Sequence, residues 1–246
     1  MKVAPNPIVS LMLLACLTGC GFPSTAQLDV EEIAAFYRVN ATADAVEVSA
    51  QFFRWTTFPS CDDFVLDGNC GGEGTDEPLE VVEDRVTVTF NDDTLELARD
   101  PGLDFPLYRS TINAAAQTDD ELVFTLERAD GVALESSTTL PPPPVVAEIP
   151  DTFSRRDGLE LVAEGDFGSD LLNGELIAPT DCINTLQSES GVGTLTLSFE
   201  QNQGEGTCDA TLALGRLRTS GGNPAFAESD VEALRALEPV TIQTTP

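Results

Sequence analysis

The sequence predicts an all-β chain: two antiparallel β-sandwich domains in tandem, following a cleaved N-terminal segment. Three observations predict it. Short runs of apolar residues alternate with polar ones at a period of two, the mark of half-buried strands. Turn-forming clusters separate those runs, and no long stretch carries helical periodicity. Four consecutive prolines, Pro141 to Pro144, divide the chain into parts of similar size. Polyproline is stiff and extended and cannot sit within a sheet, so residues 141–145 read as a semi-rigid linker.

The strand runs follow in order. Ile33, Ala35, Tyr37 and Val39 alternate and lead through a polar turn at Ala43-Asp44 into Val46, Val48, Ala50 and Phe52, which reads as a hairpin. Val86, Val88 and Phe90 form the next run, then Leu95 and Leu97, then Leu122, Phe124 and Leu126. Beyond the prolines come Leu159, Leu161 and Ala163, then Leu195, Leu197 and Phe199. Cys208, Ala210, Leu212 and Leu214 follow, and Val240 and Ile242 close the series. Asn91-Asp92-Asp93, Asp130-Gly131, Asp157-Gly158 and Gly221-Gly222-Asn223-Pro224 supply turns between them. Asp230 to Leu237 fits a short helix, with Asp230 as N-cap and Val231, Leu234 and Leu237 on one side. A strand there is the alternative. The boundaries are therefore a signal segment at 1–19, a tether at 20–30, a first sandwich at 31–140 and a second at 146–246.

The N-terminus carries an address. Met1-Lys2 is a small positive region, Ile8 to Leu17 is apolar except for Ser10, and Leu17-Thr18-Gly19-Cys20 closes the run. The apolar stretch is too short for a permanent membrane span and has the layout of a secretory signal. Its last four residues resemble the lipobox of bacterial lipoproteins, in which an aliphatic and two small residues precede a cysteine. The resemblance covers residues 1–20. It implies cleavage after Gly19, a thioether-linked diacylglycerol on Cys20 and a further acyl chain, such as palmitate, on the new amine. Gly21 resembles an outer-membrane sorting residue. Buried methylenes contribute about 0.8 kcal/mol each, so such an anchor is effectively permanent. Cys16 lies in the removed segment.

Rhythm and domain size resemble the tandem immunoglobulin-like modules of bacterial envelope lipoproteins. Trp55 does not lie between two suitably spaced cysteines, so the antibody-type pattern is absent. Trp55, Phe52, Phe53 and Phe58 read as packing at a strand end, with an exposed aromatic platform as the alternative.

Composition narrows function further. The mature chain would carry eleven arginines against forty-two acids, a formal charge of −31, with no lysine and no histidine. That charge opposes nucleic acid and anionic headgroups. Without histidine there is no Ser-His-Asp triad, no Cys-His pair and no histidine-ligated metal. Without lysine there is no Schiff base and no phosphate-loop lysine. A carboxylate pair for glycoside hydrolysis is the surviving enzymatic route, the least favoured one, and no catalytic residue is assigned.

Cys61, Cys70, Cys182 and Cys208 make an even set in an oxidising compartment, which reads as disulfides. Four cysteines allow three pairings, and the linker makes Cys61–Cys70 and Cys182–Cys208 the natural choice. No C-x-x-C pair supports zinc, and no acidic run has EF-hand spacing, so no metal ligand and no cofactor is assigned. The reading is a lipid-anchored, non-catalytic binding or structural module of the cell envelope. Its expected partners are the membrane, through the lipid on Cys20, and an envelope protein or glycan. The alternative is a calcium-dependent adhesin-like module, with its ion in loops near 62–78 or 164–170.

Overall fold

The computed structural model describes residues 22–58, 72–179, 182, 187–198 and 206–246. The chain is all-β, and the described residues contain no α-helix. The first half supplies β1 (Ile33–Ala41), β2 (Val46–Phe58), β3 (Gly72–Pro78), β4 (Arg85–Phe90), β5 (Asp93–Glu96), β6 (Ala98–Arg99), β7 (Tyr108–Ile112), β8 (Glu121–Glu127) and β9 (Ala133–Thr139). The second half supplies β10 (Val145–Val146), β11 (Thr152–Ser154), β12 (Leu159–Glu164), β13 (Leu171–Ile177), β14 (Gln187–Gly191) and β15 (Thr194–Leu197). It ends with β16 (Cys208–Gly221), β17 (Glu228–Ala236) and β18 (Val240–Thr245).

Two sandwiches result, each with its own core. In the first, β1, β2, β7 and β6 face a sheet ordered β5-β4-β8-β9. The alternating residues of β1, β2, β4 and β8 all turn inward, as their spacing requires. Tyr37 stacks on Phe124 with ring centroids 4.7 Å apart, and Phe52 meets Tyr37 edge-on at 6.0 Å. In the second, a sheet ordered β10-β12-β15 faces β13, β16 and β18. Leu161, Leu172, Leu195 and Leu212 lie at its centre. Phe199 lies outside the described residues.

Gly174 on β13 shows how closely these second sheets approach. A Cβ at this position would collide with the Leu195 side chain of the facing sheet and press on Leu214. Gly174→Val should therefore destabilise the chain by about 1–3 kcal/mol, the usual range for overpacking a core. Thermal unfolding of the purified variant checks this.

The two halves are not simply strung on a linker. β16 is long enough to serve both sandwiches. Its first part pairs with β18 (Ala210 opposite Ile242) and its last part pairs with β17 (Arg218 opposite Ala233). β17 then runs parallel to β1, with Tyr37 opposite Val231 and Val39 opposite Ala233. Val231 and Ala233 are fully buried in the first core. The β16–β17 hairpin thus leaves the second sandwich and extends the sheet of the first, giving one continuous eleven-stranded sheet.

Three expectations change here. The stretch from Asp230 is a strand, not a helix, because pairing along the whole of β1 outweighs a local three-residue spacing. Residues 146–246 do not form one separate sandwich, since the part from Glu228 to Ala236 completes the first. The pairing is not wholly antiparallel, because β1–β17 and β11–β18 are parallel.

The tether is also shorter than residues 20–30. From Pro23 onward the chain packs on the first sandwich. The Glu80 N–H donates to the Pro23 carbonyl at 2.7 Å, and the Thr25 N–H donates to the Glu80 carbonyl at 2.9 Å. The buried Thr25 hydroxyl donates to Asp84 Oδ2 at 2.7 Å, while Arg128 pairs with the same carboxylate and donates to the Leu28 carbonyl.

Candidate functional site

The continuous sheet turns one face to the first core and leaves the opposite face open. Cross-strand register decides which residues meet there. Arg38 on β1 stands between Glu232 on β17 and Ser49 on β2, and Ser49 is opposite Arg109 on β7. One row along, Asn40 stands between Leu234 and Glu47, and Leu234 is opposite Leu217 on β16. A groove of about 920 Å³ follows these rows and includes Asn173 of β13, so both sandwiches build it. A smaller hollow of about 320 Å³ adjoins it, shares Arg38, Ser49 and Glu232, and is bounded by Phe36 and Phe53. Those two rings meet edge-on, 5.9 Å apart.

The groove's charges largely answer one another. Arg38 Nε lies 3.1 Å from Glu232 Oε2, and Arg109 Nη2 lies 2.8 Å from Asp100 Oδ2. Both arginine heads are mainly exposed, so these pairs contribute little to stability and remain available to exchange partners. The surface offers guanidinium donors, carboxylate and amide groups, three leucines and an aromatic pair on a fixed floor. Such a surface can hydrogen-bond and stack on an extended ligand.

Beneath the groove the halves are clasped. Asp170, buried at the end of the β12–β13 loop, accepts from Arg216 Nε at 2.7 Å and from Arg218 Nε at 2.9 Å and Nη2 at 3.0 Å. Burial alone would raise the Asp170 carboxyl, but the hydrogen bonds and charges of Arg218 and Arg216 outweigh it and hold the group below its usual range. Arg216 also lies over the Phe167 ring, 4.2 Å from its centroid. Arg218 reaches on to Thr139 Oγ1 at 2.7 Å and Asp119 Oδ1 at 3.4 Å in the first sandwich. Hydroxyls continue the seam: Thr138 meets Ser220 at 3.1 Å, and the Asn223 N–H donates to Ser136 Oγ at 2.9 Å.

The sequence-assigned residues divide as follows. Cys182 and Cys208 form a disulfide, Cα atoms 6.3 Å apart, closing 26 residues. Under a chain-entropy account, a loop of that size is stabilised by about 3 kcal/mol. Arg155 Nη1 lies 3.2 Å from Cys182 Sγ and 2.7 Å from Thr244 Oγ1. Cys20, Cys61 and Cys70 lie outside the described residues, as does most of the 62–78 loop. In the 164–170 loop, Asp170 faces two guanidinium groups and Asp166 Oδ1 accepts from the Gly168 N–H. Among the described residues no cluster of three or more acids or cysteines is placed to hold a metal ion. Of the open-face residues only Phe53 and Leu234 were singled out from the sequence, Leu234 as part of an expected helix, since β2–β7 and the β17 crossing bring the face together over long range.

Fold and face together define the class: a tandem β-sandwich protein whose sheets merge into one continuous sheet with an open face. No family model and no curated protein matches the sequence. Among solved structures, the fibronectin(III)-like modules of Clostridium thermocellum CbhA share 13% identity, with 85% of this chain and 87% of that one covered, at a TM-score of 0.24. The IG1+IG2 structure of DIP-gamma shares 8% identity, with 86% of this chain and 96% of that one covered, also at 0.24. At these scores neither likeness carries an argument about strand placement or function.

Proposed function

We propose that the chain is a lipid-anchored, non-catalytic binding module of the cell envelope. The lipid on Cys20 holds it to a membrane, by the Gly21 pattern the outer one, and the merged face receives an envelope protein or glycan. The observation that supports the binding role is the 920 Å³ groove built jointly by both sandwiches. It is open and lies on a sheet face, which suits recognition of an extended ligand better than a reaction in a closed cleft. A mature chain without histidine or lysine agrees with a role that needs no imidazole base or amine nucleophile.

The test uses the intact protein on panels of purified envelope glycans and envelope proteins. Leu234 lies on the groove floor, and Leu234→Arg places a long cation across it. The expected result is saturable binding by the wild type, weakened at least about tenfold by Leu234→Arg with its melting temperature kept, as loss of a central contact implies. Binding that survives Leu234→Arg unchanged would remove the groove from the account.

A further inference from the structure

We infer that the end of the first sandwich carrying the N-terminus is a lipid-contacting surface, which rests on the bilayer and holds the groove away from it. This rests on the lipid anchor proposed at Cys20. Only three residue steps separate Cys20 from Pro23, whose carbonyl is already bonded to Glu80. A fully extended chain spans about 3.6 Å per residue, so the lipidated residue lies within about 11 Å of the folded domain. So short a lead keeps Pro23 and its neighbours close to the membrane.

Register identifies what shares that end. Leu79 donates to the Phe52 carbonyl, which places Pro23, Ser24 and the 79–84 loop beside the Ile33 end of β1. Glu127 pairs with Arg85 and with Ala133, so the β8–β9 turn lies at the same end. Arg128 and Ala129 of that turn bond to Leu28 and Asp84. The loops gathered here expose apolar side chains. Val82 is 62% exposed, Val132 is 45% exposed, and Phe22 is half-buried. A recess of about 190 Å³ lies between Phe22, Ser24, Gln27 and Val82.

Charge selects the kind of surface. Glu31, Glu32 and Glu83 border the same end and oppose anionic headgroups, so contact is made through apolar side chains beside the acyl chains. Asn40 lies seven residues beyond Ile33 along β1, about 23 Å from this end at strand rise, with Leu234 of β17 opposite it. The second sandwich continues beyond them. The groove therefore opens to the side, clear of the lipid.

The test is tryptophan depth in vesicles. The full chain is made in a bacterium with lipoprotein-processing enzymes, purified from the membrane fraction and reconstituted in phosphatidylcholine vesicles with brominated acyl chains. Trp55 is the single tryptophan, so Trp55→Phe clears the background. Val82→Trp reports the proposed contact, Val132→Trp repeats it on a separate loop, and Ile177→Trp, 49% exposed, reports the second sandwich. Intact mass is read first. With acyl chains on Cys20, strong quenching at 82 and 132 and none at 177 is the expected result. Acylated protein with no quenching at 82 and 132, or with equal quenching at all three, overturns the contact while leaving the anchor. An unacylated mass overturns the anchor, and the contact falls with it.

Discussion

Asp170→Ala should cost the fold about 3–5 kcal/mol, the range for breaking a buried ion pair by removing one partner. The loss exceeds that of an ordinary surface bridge because two guanidinium groups share this carboxylate and Arg216 is itself largely buried. Arg216 would keep the Asp166 carbonyl at 3.0 Å and the Phe167 ring, and Arg218 would keep Thr139 and the exposed Asp119 carboxylate. None of these supplies a neutralising charge to the buried Arg216. Chemical denaturation at pH 7 measures the loss. Because the native Asp170 carboxyl is held low, its contribution to stability is present in full above the unfolded value of about 3.9. It is lost as pH falls below that value and through the lower native one. The near-isosteric Asp170→Asn should thus be clearly less stable than wild type at pH 7, and the gap should shrink towards pH 3. A gap independent of pH would mean that the carboxylate charge is not what holds the clasp.

The second large effect is expected at Val231, on β17 where the second half of the chain enters the first core. Val231 is fully buried and opposite Tyr37. Val231→Asp puts a carboxyl among the aromatic and aliphatic side chains of the core, at a cost of about 3–5 kcal/mol. The damage should be directional. Amide exchange should quicken along β17 and the facing edge of β1, while β12, β13 and β15 keep their protection. Glu232→Ala, one residue on and facing solvent beside Arg38, should change stability by no more than about 0.5 kcal/mol. If both variants behaved alike, β17 would not be a core strand.

The sandwiches were legible in the sequence where one face of a strand is apolar and the other polar. Val46 to Phe52, Val86 to Phe90 and Leu122 to Leu126 show this, and their alternate apolar positions are inward, with Val123 on the other face. β9 escaped notice because only Leu134 of its inward residues is apolar, while Ser136 and Thr138 face hydroxyls of the hairpin. β13 escaped because the inward position between Leu172 and Leu176 is Gly174, where the facing Leu195 leaves no room for a side chain. β17 stayed ambiguous because Val231, Leu234 and Leu237 also satisfy a helical spacing. Its state is decided by β1, almost two hundred residues earlier. The groove was illegible for a related reason: Leu234 reaches Asn40 only through that long-range pairing, and Arg109 reaches Ser49 only through β2–β7.

The most direct measurement of the merged sheet is a set of inter-strand nuclear Overhauser contacts in the isotope-labelled protein. The account predicts backbone contacts between β1 and β17 in parallel register, with Phe36 beside Asp230 and Arg38 beside Glu232, and slow amide exchange along both strands. Absence of these contacts, together with the two sandwiches tumbling under separate alignment tensors, would contradict it.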